Sequence, residues 1–192
     1  MNNPENIALS RSRGIFGDSL LMQALWIAGF AVVTALGARA EIPHVPVPYT
    51  LQTLVVLLAG ALLGPVGGAL SQLAYIASGI AGAPVFAGGS WGLAVLAGPT
   101  GGYLMGFPVA AAVAGLLLER RGGVIWQSVS MASGLCLIFA CGTVHLYAFA
   151  LHDLGAAVRA GFLIFSWWDL LKLAAAVMVY HEVAKRWRRI PS

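Results

Sequence analysis

An apolar run of membrane-spanning length, from about Gly161 to Val183, carries two opposite charges, Asp169 and Lys172, within Ser166-Trp167-Trp168-Asp169-Leu170-Leu171-Lys172. A helix needs ~20 residues at ~1.5 Å rise each to cross a bilayer, and this run supplies them. Residues three apart share a helix face, so carboxylate and ammonium are predicted to point the same way. Asp169 is predicted about eight residues, or ~12 Å, from the nearer helix end. A charge at that depth costs at least ~2.5–3.5 kcal/mol, so such residues face a cavity, a partner or a substrate path. The rest of the chain reads as scaffolding around this pair.

That scaffolding is also apolar. Of 192 residues, 59% are hydrophobic and 9% charged, against about 25% charged in a soluble domain. The predicted class is an all-α polytopic membrane protein, with one integral domain over 1–192 and polar or basic tails at 1–18 and 185–192. The net charge of +4 is no nucleic-acid footprint, because the basic residues cluster at the ends of apolar runs.

The first run, about Leu20 to Ala38, is longer than a signal-peptide core and is followed by further runs, so it reads as a retained helix. Its small residues recur four apart, Ala24/Ala28 and Ala31/Ala35, which lets another helix approach closely. The three prolines of Glu41 to Pro48 end the helix and make an extended loop. A second run from about Thr50 to Leu63, a turn at Gly64-Pro65-Val66-Gly67-Gly68, and a third run from about Ala69 to Gly82 follow.

Ala83 to Gly102 is punctuated by glycine and proline yet uncharged and apolar. Irregular backbone at membrane depth survives only where it is buried in protein or lines a cavity. A re-entrant or lid-like loop is predicted. The fourth helix is predicted over about Tyr103 to Leu118, the fifth over about Val124 to Leu151, and a polar loop over His152 to Arg159.

Six helices put both termini on one side. Arg11, Arg13, Arg120, Arg121, Lys185, Arg186, Arg188 and Arg189 fall on that side, against Arg39 and Arg159 on the other. By the positive-inside rule that side is the cytoplasm. The lid loop and prolyl loop then face outward.

For the chemistry, an ionised Asp169 only accepts hydrogen bonds and Lys172 only donates them. The pair is either an internal lock between helices or a contact set for a small polar ligand. Trp167 and Trp168 beside it, and Trp91 in the lid loop, favour the second, since small-molecule pockets combine aromatic walls with a few convergent polar groups. Gln52 either meets a ligand or faces a loop. Ser90 is either an anion contact or an ordinary turn residue. The four histidines lack metal-ligand spacing, and no metal or cofactor is expected. Cys136 and Cys141 read as inert buried thiols. No H-E-x-x-H or Walker A sequence is present, and no paired carboxylates share a helix face in the membrane, so enzymatic chemistry is not expected, and any ATP-driven step needs another subunit.

Five fragments in order give the chain a resemblance over nearly its whole length. They are Val45-Pro-Val-Pro-Tyr-Thr-Leu-Gln52, Leu63-Gly-Pro-Val-Gly-Gly68, Gly82-Ala-Pro-Val-Phe-Ala-Gly-Gly-Ser-Trp-Gly92, Gly98-Pro-Thr-Gly-Gly-Tyr-Leu-Met-Gly-Phe107, and Asp169-x-x-Lys172. The sequence resembles the substrate-binding (S) component of bacterial biotin transporters, the BioY family of energy-coupling factor (ECF) systems.

The resemblance implies a six-helix fold and an outward biotin pocket closed by the loops before helix two and between helices three and four. It implies that Asp169 and Lys172 line that pocket, with Gln52, Ser90 and Tyr103 candidates by motif position; Trp91, Trp168 and Phe86 complete the expected substrate-binding set. Some relatives carry Asn at the position of Ser90 and Arg at that of Leu104, and Leu104 is not taken as a contact. The partners implied are biotin, a transmembrane coupling subunit meeting the Ala24, Ala28, Ala31 and Ala35 face, and ATP-binding cassette ATPases, in the cytoplasmic membrane. Intrachain packing of those alanines stays open. An intramembrane enzyme or proton relay built on Asp169 and Lys172, and an S component for another vitamin, remain the alternatives.

Overall fold

The computed structural model describes residues 19–163 and 167–187. Residues 1–18, 164–166 and 188–192, among them Ser166 and arginines 11, 13, 188 and 189, lie outside the described residues. Helix α1 spans Leu20–Arg39, and the Ser19 hydroxyl caps it by accepting the Met22 N–H at 3.1 Å. Arg39 occupies its last turn, where a cation complements the helix dipole. Two short strands, β1 (Glu41–Ile42) and β2 (Tyr49–Thr50), pair antiparallel with Glu41 opposite Thr50. They close the prolyl loop into a flap.

Helix α2, Gln52–Ile80, breaks sharply at Gly64, whose φ of 75° and ψ of 179° are not helical. Residues eight apart in a continuous helix are separated by ~12 Å. Here a Cβ placed on Gly68 would lie 2.6 Å from the Gly60 Cα. The chain therefore doubles back, and limbs 52–63 and 65–80 pack antiparallel. The bond from Gln52 Nε2 to Tyr75 Oη, 2.7 Å long, joins residues placed symmetrically about the turn. The reversal predicted at 64–68 is present. The second limb resumes directly at Pro65, the first helical position, where proline's missing N–H costs nothing.

An irregular stretch follows, holding a 3-10 turn at Ala87–Gly89 and the short helix α3, Ala94–Ala97. Helix α4 runs over Gly101–Arg120 and α5 over Val124–Leu146, which continues as a π turn through Tyr147–Leu151. The polar loop predicted at 152–159 is instead largely helical. Asp153 caps α6 (Leu154–Ala157) through the Ala156 N–H, and a π turn, Val158–Phe162, extends it. Helix α7 is Trp167–Trp187, so the single helix predicted from Gly161 is divided.

By length and composition, Leu20–Arg39, Gln52–Ile80, Gly101–Arg120 and Val124–Leu151 each qualify to cross a membrane, and Leu154–Phe162 with Trp167–Arg186 qualify together as a broken span. The core gathers Val56, Leu57, Tyr75, Ala110, Ala111, Ala114, Met131, Leu135 and Ile138 from α2, α4 and α5. The outer faces are apolar too: Leu25, Val32, Leu116, Val144 and Met178 stand exposed. Apolar residues all round mark helices bathed in hydrocarbon. Of the four alanines on α1, Ala31 and Ala35 pack against the core while Ala24 and Ala28 are exposed. Cys136 is exposed and Cys141 half-buried, correcting the expectation of two buried thiols.

Candidate functional site

A cavity of about 420 Å³ opens beneath the flap and the irregular loop, walled by α2, α4, α5 and α7. Its volume lies in the ~300–1,000 Å³ range of small-molecule sites. Asp169 and Lys172 line it and are 1% and 6% exposed. The Lys172 ammonium stands 2.5 Å from the Asp169 carboxylate and donates to the Thr50 carbonyl at 3.0 Å. Both charges sit on one helix, so the pair does not lock two helices together. Lys172 instead pins the flap to α7. An ammonium has three donors, and two are used here.

Asp169 lies in the first turn of α7, not eight residues inside a helix as predicted. Its burial comes from the flap and from α2 and α4 across the cavity, because a helix end is sealed only by what packs over it.

Gln52 is 5% exposed and both ends of its amide are engaged: Nε2 donates to Tyr75 Oη and Oε1 accepts the Thr50 hydroxyl at 2.9 Å. Tyr75 Oη donates onward to the Val85 carbonyl at 3.2 Å, tying the irregular loop to α2. Gln52 thus lines the cavity while fixing the flap's exit. The Ser90 hydroxyl donates to the Ala87 carbonyl at 2.8 Å and lines the mouth. Phe86 fills the notch at Gly79, where a Cβ would meet its Cζ at 2.1 Å, and stands edge-on to Tyr75 at 5.6 Å. Tyr103 donates to the Gly161 carbonyl at 2.9 Å and meets Phe139 edge-on at 6.0 Å.

The structure thus brings Asp169, Lys172, Gln52, Ser90, Phe86 and Tyr103 to one cavity. It does not bring Trp91 and Trp168 there. Trp91 is 60% exposed on the outside of its loop, next to Gly92 at φ +90°. Trp168 packs edge-on against Trp167 at 5.7 Å. The aromatic wall is built from phenylalanine and tyrosine instead, with Phe107 and Phe139 beside Phe86 and Tyr103. Phe107 was legible in principle, being four residues from Tyr103 on the same helix face. Nothing local in the sequence marks Phe139.

Sequence reasoning also missed Glu41, His44 and Thr53, which line the cavity together with Leu104. The Glu41 carboxylate accepts the Gly88 N–H at 2.8 Å, and Arg39 Nη2 donates to the Pro84 carbonyl at 2.5 Å. The first contact latches the flap to the irregular loop over the mouth, and the second ties that loop to the end of α1. Among the described residues, the buried Thr53 hydroxyl has no hydrogen-bond partner. A buried polar atom in that state stabilises any ligand group that satisfies it. The cavity therefore offers a charged pair at one end, apolar and aromatic walls, and a polar mouth.

The BioY family model matches residues 9–189. The biotin transporter BioY of Thermotoga maritima is 42% identical over 165 residues, covering 85% of this chain and 97% of that protein. The biotin transporter BioY of Rhizobium etli is 33% identical over 186 residues, covering 90% and 96%. Among solved structures, the S-component for biotin from an ECF-type ABC transporter matches with a TM-score of 0.78 at 22% identity, over 96% of this chain and 95% of that one. At that identity the likeness is one of fold.

Proposed function

The chain belongs to the BioY family, and from that premise we propose that it binds biotin in the cavity and carries it across the membrane as the substrate-specific subunit of an ECF-type transporter. It is a transport protein and not an enzyme. The observation that carries the reading is the Asp169–Lys172 pair, buried in the wall of a cavity roofed by two latched loops.

The chemistry of biotin suits this arrangement. Its ureido ring has two N–H donors and one carbonyl acceptor, which a carboxylate and an ammonium complement. Asp169 takes a ureido N–H, and Lys172 directs its remaining donor to ligand. The bicycle and aliphatic tail lie against Phe86, Tyr103, Phe107 and Phe139. Ser90, Thr53 and loop N–H groups at the mouth remain to serve the other polar groups, and Gln52 orders the flap.

Six crossings fit the fold best: α1, both limbs of α2, α4, α5 and the broken segment ending in α7. Both termini then lie in the cytoplasm with most of the basic residues, in the bacterial cytoplasmic membrane, and the cavity opens outward. The exposed Ala24 and Ala28 suit close approach by the transmembrane coupling subunit, whose associated ATPases supply the energy.

The deciding experiment is equilibrium titration of the purified protein with biotin in detergent, by calorimetry. One-to-one binding that Asp169→Asn abolishes supports the reading. Well-folded protein that ignores biotin refutes it, and competition by other vitamins would then identify the ligand.

A further inference from the structure

At the end of the bundle away from the biotin cavity, a second cavity of about 600 Å³ opens where α4 ends, α5 begins and α7 runs out. We propose that this cavity binds the phosphodiester headgroup of an anionic phospholipid. The inference does not rest on the biotin reading, because none of its residues lines the first cavity.

Three cations from separate elements converge on it: Arg120 from α4, Arg121 from the connector and Lys185 from α7, with His181 beside them. The one carboxylate in the wall is Glu119, so the lining is net positive. None of the three cations has an ion pair among the described residues. An unpaired cluster of this kind in a concave site focuses positive potential and collects anions.

Arg121 is also held in place. Its guanidinium lies over the Trp126 ring at 5.1 Å, and the indole N–H is fixed by the Leu117 carbonyl at 2.7 Å. A guanidinium ordered in this way loses little freedom on meeting a phosphate, and its planar fork of donors matches phosphate oxygens.

The surroundings favour a lipid over a soluble phosphate. Val124 and Ile125 begin α5 at the rim, and Ile125 is 84% exposed. Leu116 is exposed one turn before the end of α4. An amphipathic ligand would set its phosphate among the cations and its acyl chains along these residues. Trp126 beneath Arg121 and Tyr180 in the cavity wall add aromatic rings, the residue type enriched where membrane proteins meet headgroups. Basic pockets between helix ends are known headgroup sites in chemical type.

The test is native mass spectrometry of the full chain titrated with phosphatidylglycerol or with phosphatidylcholine of identical acyl chains. Phosphatidylglycerol should be retained one-to-one and about tenfold more tightly. That preference should vanish in the triple variant Arg120→Gln/Arg121→Gln/Lys185→Gln and persist in Arg159→Gln, which removes a charge elsewhere. Arg121→Gln alone should lower it about threefold, which keeps the test decisive if the triple variant does not fold. Equal retention of the two lipids, or an undiminished preference in Arg121→Gln and the triple variant, would overturn the proposal. Displacement of phosphatidylglycerol by millimolar inorganic phosphate would also overturn it, in favour of a soluble anion.

Discussion

The two ends of the α2 hairpin are both apolar, yet near the turn its backbone closes directly on α4, whereas at the flap end its residues wall a cavity. At the turn end, glycine and alanine bring backbones into contact. A Cβ on Gly60 would lie 2.1 Å from the Ala111 carbonyl oxygen, and one on Gly115 would lie 2.6 Å from the Gly60 carbonyl oxygen. At the flap end, Phe86, Tyr103, Phe107 and Phe139 hold the elements apart around the void. Without a hydrophobic drive between helices inside lipid, close van der Waals packing supplies the association. Small residues at one end therefore clamp the bundle, and large ones at the other prop it open for a ligand.

The largest effect should come from filling the clamp. Gly60→Val places branched carbons against backbone that cannot yield, where overpacking costs ~1–3 kcal/mol or more. The expected result is loss of monodisperse protein in size-exclusion chromatography, with binding lost alongside it. A well-folded Gly60→Val protein would break the contrast between the two ends.

Next comes the charged pair. Asp169→Asn should weaken biotin binding about a hundredfold, since truncating one partner of a buried charge pair costs ~2–5 kcal/mol. The variant also leaves Lys172 uncompensated. Asp169→Asn/Lys172→Met removes both charges, and should melt closer to the unmodified protein while still failing to bind. Calorimetry and thermal melting together separate ligand recognition from folding.

A smaller change is expected at the latch. Glu41→Gln keeps the shape but weakens a charge-assisted bond, normally worth ~1.5–3 kcal/mol, to the neutral value of ~0.5–1.5 kcal/mol. Biotin should dissociate roughly fivefold faster in a chase experiment. An unchanged off-rate would mean that the Glu41–Gly88 contact does not govern the mouth.

The smallest effect belongs to Trp91→Phe. Exposed positions away from such features shift energies by only ~0.5 kcal/mol, so affinity should change less than about threefold. A large loss would bring Trp91 into the ligand's surroundings and enlarge the site.

Much of this molecule was legible before any coordinates. The membrane class followed from apolar runs of bilayer length, and the reversal at Gly64 from a glycine-proline cluster that no straight helix tolerates. The irregular loop at 83–100 followed from apolar residues that glycine and proline keep out of a helix. These are local properties, set by hydropathy and backbone freedom within a few residues. The Asp169–Lys172 face was equally local, because spacing of three in a helix fixes it.

What the sequence could not decide was how far each residue lies from water. Asp169 was predicted to be buried by depth in a long helix, but it sits in the first turn of α7 and is covered by a flap more than a hundred residues earlier in the chain. Trp91 and Trp168 looked like cavity walls because they neighbour polar groups in sequence, yet the backbone turns one outward and sets the other edge-on against Trp167. Phe139 and Glu41 reach the cavity only because α5 and the flap close around it. Adjacency along a chain fixes which residues share a helix face, whereas the enclosure of a cavity depends on contacts between segments far apart in sequence, and only tertiary packing determines those.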